Sequence, residues 1–235
     1  MLNKFKYYLP VVLTIFLFVY FLHIPLQVLA YESQFSGRAT DSAGSPIEGV
    51  RVIFSMAMKN GTITQQIVQY TLTDLNGNYF GKVEGKKGAS YIVKIGFYHE
   101  DYFATWNSGA SDELSATPIK ISESSPTHLI NAVLESGGGK ISGKITAENV
   151  TTRYPASVNI YSETGSLVNF MPIDSSWNYL IGGLKTGLYK VKFMHADCYS
   201  SWYKGVSDIS SATPVNVVES SVTTDVDGIL LKHHP

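Results

Sequence analysis

The sequence has 235 residues, 44% of them hydrophobic, and its 18 Lys and Arg nearly balance 19 Asp and Glu for a formal net charge of −1. No run of basic residues stands out, which argues against nucleic acid as a partner, because phosphate neutralisation needs a basic stripe. A single cysteine, Cys198, excludes an internal disulfide and leaves the fold to its apolar cores.

At the N-terminus, Lys4 and Lys6 precede an apolar run from Leu9 to Leu22, and Val28-Leu29-Ala30 sets small side chains at the −3 and −1 positions. That order predicts a signal peptide over 1–30, cleaved after Ala30. The alternative is an uncleaved anchor, the one way in which this chain is expected to meet a membrane. Removing two Lys leaves 18 − 2 = 16 basic against 19 acidic residues, net −3. The expected location is secreted, extracellular or periplasmic.

The remaining chain reads as strands. Gly49-Val-Arg-Val-Ile-Phe54 and Ala156-Ser-Val-Asn-Ile-Tyr161 alternate with the period of a half-buried strand. Tyr91, Val93 and Ile95 share one face, as do Tyr189, Val191 and Phe193. Pro214 to Val218 and Val222 to Val226 make late strands. Turn signals separate these runs at Asp41 to Pro46, Asp74 to Asn78 and Glu163 to Ser166. No window sustains a helical stripe.

The same phrase occurs twice. Residues 99–118 align without gaps on 195–214, and ten of the twenty positions are identical, among them Trp106/Trp202, Gly109/Gly205, Asp112/Asp208 and Pro118/Pro214. The echo runs upstream through Asn78-Tyr79 and Asn178-Tyr179 to Phe35-Ser-Gly-Arg and Ile141-Ser-Gly-Lys. A unit of roughly 100 residues is domain-sized, too long for a solenoid repeat. The expectation is an all-β protein of two tandem Greek-key β-sandwiches, over 34–135 and 140–232, joined by a short flexible link at Glu135-Ser-Gly-Gly-Gly-Lys140.

The first copy resembles the carboxypeptidase regulatory-like family, a transthyretin-like, Ig-like β-sandwich. The residues that carry the likeness are Gly37, Asp41, Gly44, Pro46, Ile47 and Gly49, then Thr73, Asp74, Asn76, Gly77 and Tyr79. The second copy departs from this pattern: Asp174-Ser-Ser-Trp-Asn178 lacks the turn glycine. The resemblance implies an accessory or binding role without chemistry of its own, and the wider sandwich class adds carbohydrate as a suggested ligand.

Four residues are candidates for ligand binding. Trp106 and Trp202 could stack on a sugar, with Tyr203 extending the second platform and Asp208 fixing a hydroxyl. The competing and preferred reading makes each Trp an architectural plug, with Gly, Ser, Asp and Pro shaping its loop. His99 with Asp101, and His195 with Asp197, lack a third metal ligand, so no metal is expected. Asp74, Asn76 and Asn78 space oxygens like a calcium loop but miss its closing Glu. Cys198 is read as buried, His233 and His234 as a frayed tail, and Asn60 and Asn149 as glycosylation sequons in loops. No hydrolase motif occurs, and no cofactor is expected. These observations favour a secreted, non-catalytic binding or structural protein with an unknown protein or polysaccharide partner. The alternatives are a carbohydrate-binding module using Trp202 and Tyr203, and an accessory subunit of an exported peptidase or other enzyme.

Overall fold

The computed structural model describes residues 30–58, 66–124, 126–147, 150 and 156–233. Residues 1–29 of the expected signal segment, both sequon asparagines and His234 lie outside them. The described residues build an all-β fold of paired sheets.

In the first copy, β1 (Ala30–Asp41) lies between β4 (Asn78–Lys86) and the short strands β8 (Thr127–Leu129) and β9 (Ala132–Leu134), to which it is parallel. The facing sheet runs β3 (Gln66–Leu72), β2 (Arg51–Met58), β5 (Tyr91–His99), β6 (Tyr102–Trp106), with β7 (Ile119–Ile121) on β5. Along β4, Tyr79 and Val83 point inward and Asn78, Phe80 and Lys82 outward, the alternation a two-layer sandwich demands. Phe35, Phe54, Tyr79, Ile95 and Phe97 fill the space between the sheets.

The second copy repeats this plan. One sheet has β10 (Gly139–Ala147) between β13 (Asn178–Leu184) and β18 (Val222–Thr223) with β19 (Gly228–Lys232), and β15 (Cys198–Tyr199) closes it beside β19. The other runs β12 (Leu167–Ile173), β11 (Ala156–Ser162), β14 (Gly187–Met194), β16 (Ser201–Trp202), with β17 (Val215–Val217) on β14. Its core gathers Ile141, Val158, Tyr179, Val191 and Phe193.

Short polar side chains set the turns. The Asp74 carboxylate accepts hydrogen bonds from the backbone N–H of Asn76 (2.9 Å) and Asn78 (2.8 Å), and Gly77 supplies the left-handed residue at φ 75°. The calcium-like spacing is thus a hairpin turn whose carboxylate oxygen points into its own loop. Trp177 holds the matching place in the second copy at φ 59°, a conformation costly for a side chain with a Cβ. It is retained by packing against the second core and stacking on His195 at 5.8 Å. Asp41 closes the first turn by accepting from Ala43 and Ser45 N–H.

Two expectations are corrected. The glycine-rich link is not a free hinge: Phe103 N–H donates to Glu135 C=O (2.8 Å), Gly137 N–H to Asp101 C=O (2.9 Å) and Ser220 N–H to Gly138 C=O (3.2 Å). Glu135 and Ser136 prolong β9 along the edge of β6, so the chain leaves one sandwich as an ordered strand. Nor is His233 frayed. Its N–H donates to Asp197 C=O (2.9 Å), the counterpart of the Gly137 bond, and its ring meets Tyr199 edge-on at 4.5 Å.

Thr73 ties the first sandwich together, because its buried hydroxyl accepts from Val50 N–H (2.9 Å) and donates to Ile47 C=O (2.7 Å). Thr73→Val removes both bonds at constant shape and leaves two buried backbone groups unpaired. The expected loss is ~1–3 kcal/mol in denaturant unfolding. An unchanged midpoint would contradict this role.

Candidate functional site

The repeated phrase forms a loop that leaves the last turn of one sheet and returns to it. In the first copy Trp106 N–H donates to Ala110 C=O (2.7 Å) and Ala110 N–H to Trp106 C=O (3.2 Å), with Ser108 and Gly109 at positive φ between them. The second copy closes the same way: Trp202 N–H donates to Val206 C=O (2.9 Å), with Lys204 and Gly205 at positive φ. The serine and aspartate of the phrase act inside the loop. Asp112 accepts from Ser115 N–H (2.9 Å) and Oγ (2.8 Å), and Asp208 accepts from Ser211 N–H (3.0 Å) and the hydroxyls of Ser210 and Ser211. Partial burial opposes ionisation of Asp112, but these bonds prevail and hold it below the usual carboxylate range. The Ser210 hydroxyl and Ser211 N–H lower Asp208 likewise.

A lysine pins each loop from below. Lys94 on β5 donates to the carbonyls of Glu113 (2.5 Å) and Leu114 (3.1 Å), and Lys190 on β14 donates to Ile209 C=O (2.5 Å). The two lysines lie 96 residues apart, as do Glu113 and Ile209, so this clamp is part of the repeat. Strand alternation puts Lys94 on the face opposite Tyr91, Val93 and Ile95 and assigns it no role. The signal in the sequence is the 96-residue spacing of Lys94 and Lys190, equal to that of the Trp phrase; matching Tyr91 to Tyr189 instead aligns Lys94 with Lys192.

The stacking role weighed against the preferred plug is not available to the tryptophans. Trp106 is 1% exposed and Trp202 6% exposed, so neither indole offers a face to a sugar. Trp106 packs in a third apolar cluster with Ile53, Tyr98, Ala104 and Ala116 of the first copy and Leu167 of the second. Its Nε1–H donates to Val168 C=O (3.3 Å) and its ring meets Tyr98 edge-on at 6.0 Å. Trp202 is covered by its own copy: the Tyr161 ring lies 5.1 Å away and Lys192 Nζ 5.5 Å over the indole. Tyr203 is half-buried against the second core with Lys204 Nζ 4.7 Å over its ring. The Trp202–Tyr203 pair is therefore packing, and Asp208 braces its own loop through Ser210 and Ser211.

The sandwiches meet through this loop. Glu113 N–H donates to Leu167 C=O (2.9 Å), Leu114 N–H to Ser166 Oγ (3.0 Å), and the largely buried Arg51 guanidinium to Phe170 C=O (2.8 Å). The Ser55 hydroxyl donates to the Glu113 carboxylate. Burial raises the Glu113 carboxyl, against the lowering effects of Ser55 and Lys94. Burial also pushes the Tyr98 phenol up and the Arg51 guanidinium down. At the far end, Lys140 bridges to Asp101 (3.1 Å) and Glu100 (3.8 Å).

The remaining candidates are structural in their contacts. His99 and His195 each accept at Nδ1 from the N–H two residues on, Asp101 and Asp197 (3.2 and 3.1 Å). Among the described residues no three His, Cys, Asp or Glu side chains converge as metal ligands. Cys198 is buried, and that burial raises its thiol. Among the described residues no helix is long and apolar enough to cross a membrane.

No protein-family model matches the sequence. No curated protein matches it. Several solved structures do. The minor pilin GBS52 of Streptococcus agalactiae is 14% identical over 86% of this chain and 97% of its own, with a TM-score of 0.30. A streptococcal ancillary pilin is 12% identical over 90% of this chain and 64% of its own, at 0.31. The TIE protein of Bacillus anthracis is 12% identical over 86% of this chain but only 34% of its own, at 0.30. Likeness at these identities and scores says nothing of activity or partner.

Two outcomes are expected. Trp106→Ala empties the cluster between the sandwiches and should cost ~3–5 kcal/mol in denaturant unfolding; a loss below about 1 kcal/mol would contradict the plug. Glu113 has a folded-state pKa above that of the unfolded chain, so its stabilising share is present in acid and lost as pH rises through the folded value. Glu113→Gln keeps the Ser55 bond without the charge. The variant should therefore melt above the wild type at about pH 7.5, with the gap closing towards about pH 4. A gap that grows on acidification would refute the buried-carboxyl account.

Proposed function

We propose that this chain is an exported, non-catalytic structural protein whose two sandwiches act as one stiff element at or outside the cell surface. The observation that carries this reading is the position of Trp106. The residue most suited to bind a ligand is spent instead on joining the sandwiches, with its indole N–H bonded across the junction to Val168. In the first copy the repeated phrase is then an assembly device, and in both copies its Asp and Ser residues are occupied within their own loops. The leader read over 1–30 supports export. The turn bonds of Asp41, Thr73 and Asp74 support placing the first copy among carboxypeptidase regulatory-like sandwiches, since each motif residue has a backbone to hold.

Rigid pairing is tested by ¹⁵N relaxation on the chain from Tyr31 onward: both sandwiches should share one rotational correlation time, and two independent values would sink the proposal. Turnover of any substrate in a broad hydrolase panel would defeat the non-catalytic half. N-terminal sequencing of the exported product should begin at Tyr31.

A further inference from the structure

The loop that carries Trp106 meets the second sandwich through two adjacent residues. Glu113 N–H donates to Leu167 C=O (2.9 Å) and Leu114 N–H to Ser166 Oγ (3.0 Å). The Glu113 carboxyl accepts from the Ser55 hydroxyl on β2, and among the described residues that is the one donor it has. Lys94 Nζ on β5 donates to the carbonyls of Glu113 and Leu114 rather than to the carboxyl, and Arg51 on β2 directs its guanidinium to Phe170 C=O. Asp112, next in the loop, adds a like charge. Tyr98 of β5 and, across the junction, Tyr161 of β11 feel the carboxylate too, and burial pushes both phenols up, which keeps them neutral. The Tyr98 hydroxyl has no hydrogen-bond partner among the described residues, so it does not relieve the charge. A carboxylate has room for about four hydrogen bonds. With one donor and partial burial, the neutral form fits this place better.

The second sandwich carries the same loop without the acid. Lys190 clamps it as Lys94 clamps the first, and Trp202 N–H closes it on Val206 C=O. Yet Ile209 stands where the first loop has Glu113, 96 positions earlier. Both ladders slip at the same place, after Phe54 and after Ile160, and then pair Ser55 with Ile67 and Tyr161 with Leu167. Tyr161 therefore replaces the Ser55 hydroxyl. The clamp needs no carboxyl: the acid and its hydroxyl partner occur in the loop that joins two sandwiches and not in its twin.

We propose that Glu113 is a proton-operated latch on the junction. Taking up a proton favours the closed loop; losing it favours a state in which residues 113 and 114 have released Leu167 and Ser166. The latch rests on the reading of two joined sandwiches and adds a condition to it, that the joint is held most firmly in acid. Burial sets the direction. A carboxyl raised in the closed state binds its proton more tightly there than in the open one, so the closed share falls as pH rises through the closed-state value. Asp112 works oppositely: bonds within the loop hold its carboxyl low, so its contribution is lost in acid, below the usual carboxylate range. Release leaves Trp106 seated, because its indole bond to Val168 and its apolar neighbours do not involve the carboxyl. In an exported protein the signal read is the acidity outside the cell.

Amide hydrogen exchange on the chain from Tyr31 onward tests this, followed from about pH 5 to 8 with each rate divided by that of the unfolded peptide. Protection of Glu113 N–H and Leu114 N–H should fall roughly threefold or more across that range. Trp202 N–H, in the twin loop, should stay level. Glu113→Gln should hold both junction amides at their acid-side protection throughout. Flat protection in the wild type overturns the latch, as does a response that survives Glu113→Gln. Protection that falls on acidification would place the effect on Asp112 and overturn it equally. An equal change at Trp202 would mean global unfolding rather than release at the junction, and also counts against it. Ser55→Ala gives a second reading should Glu113→Gln not fold. It removes a donor that favours the carboxylate, so the fall in protection should move to higher pH, and an unmoved curve overturns the proposal. Rotational correlation times are recorded on the same samples. Two values in acid would sink the joined pair and the latch with it; one shared value with flat protection sinks the latch alone.

Discussion

The structure depends on covering one apolar face without stranding backbone polar groups. The outer side of β2 and β5 presents Ile53 and Tyr98, which gain stability only when removed from water. The second sandwich covers them with Leu167 and brings carbonyls that would otherwise be buried unpaired. Trp106 Nε1, Glu113 N–H and the Arg51 guanidinium satisfy those carbonyls in turn. The apolar contact sets the attraction; the three donors, aimed at Val168, Leu167 and Phe170, set a single orientation.

Both copies use one loop design, and their different surroundings give it different work. In each, a lysine from the central strand binds the loop carbonyls, and an aspartate collects hydroxyls and an N–H within the loop. The first loop is completed by a neighbour. The second is completed by Tyr161 and Lys192, larger side chains that shelter Trp202 from the same copy. A buried indole is common to both, so the tryptophan serves the loop first and the junction second.

The order of the glycine-rich link follows from that junction. Glycines at 137 and 138 take φ of 132° and 118°, open to few other residues, and the next strand begins at once. Freedom in the unfolded chain is given up here for a short connection that lets Lys140 reach Asp101 and lets β13 settle on Glu100. A flexible spacer would have left the two apolar faces to find each other at greater entropic cost.

Strand alternation, the doubled phrase and the Asp41 and Asp74 turns are local patterns, and the sequence alone determined from them an all-β chain with a repeated unit. Burial of Cys198 was legible for the same reason, since a lone small apolar side chain has few other places to go. Alternation shows that a strand has two faces but not what covers the outer one. Whether Trp106 met water, a ligand or protein was therefore open until Val168, 62 positions along the chain, came against it. The tertiary structure alone decided that the link is ordered, that Lys94 and Lys190 are clamps, and that the first tryptophan joins two sandwiches. Each of these rests on contacts between strands distant in sequence, and the free energy of such contacts is written in no single segment.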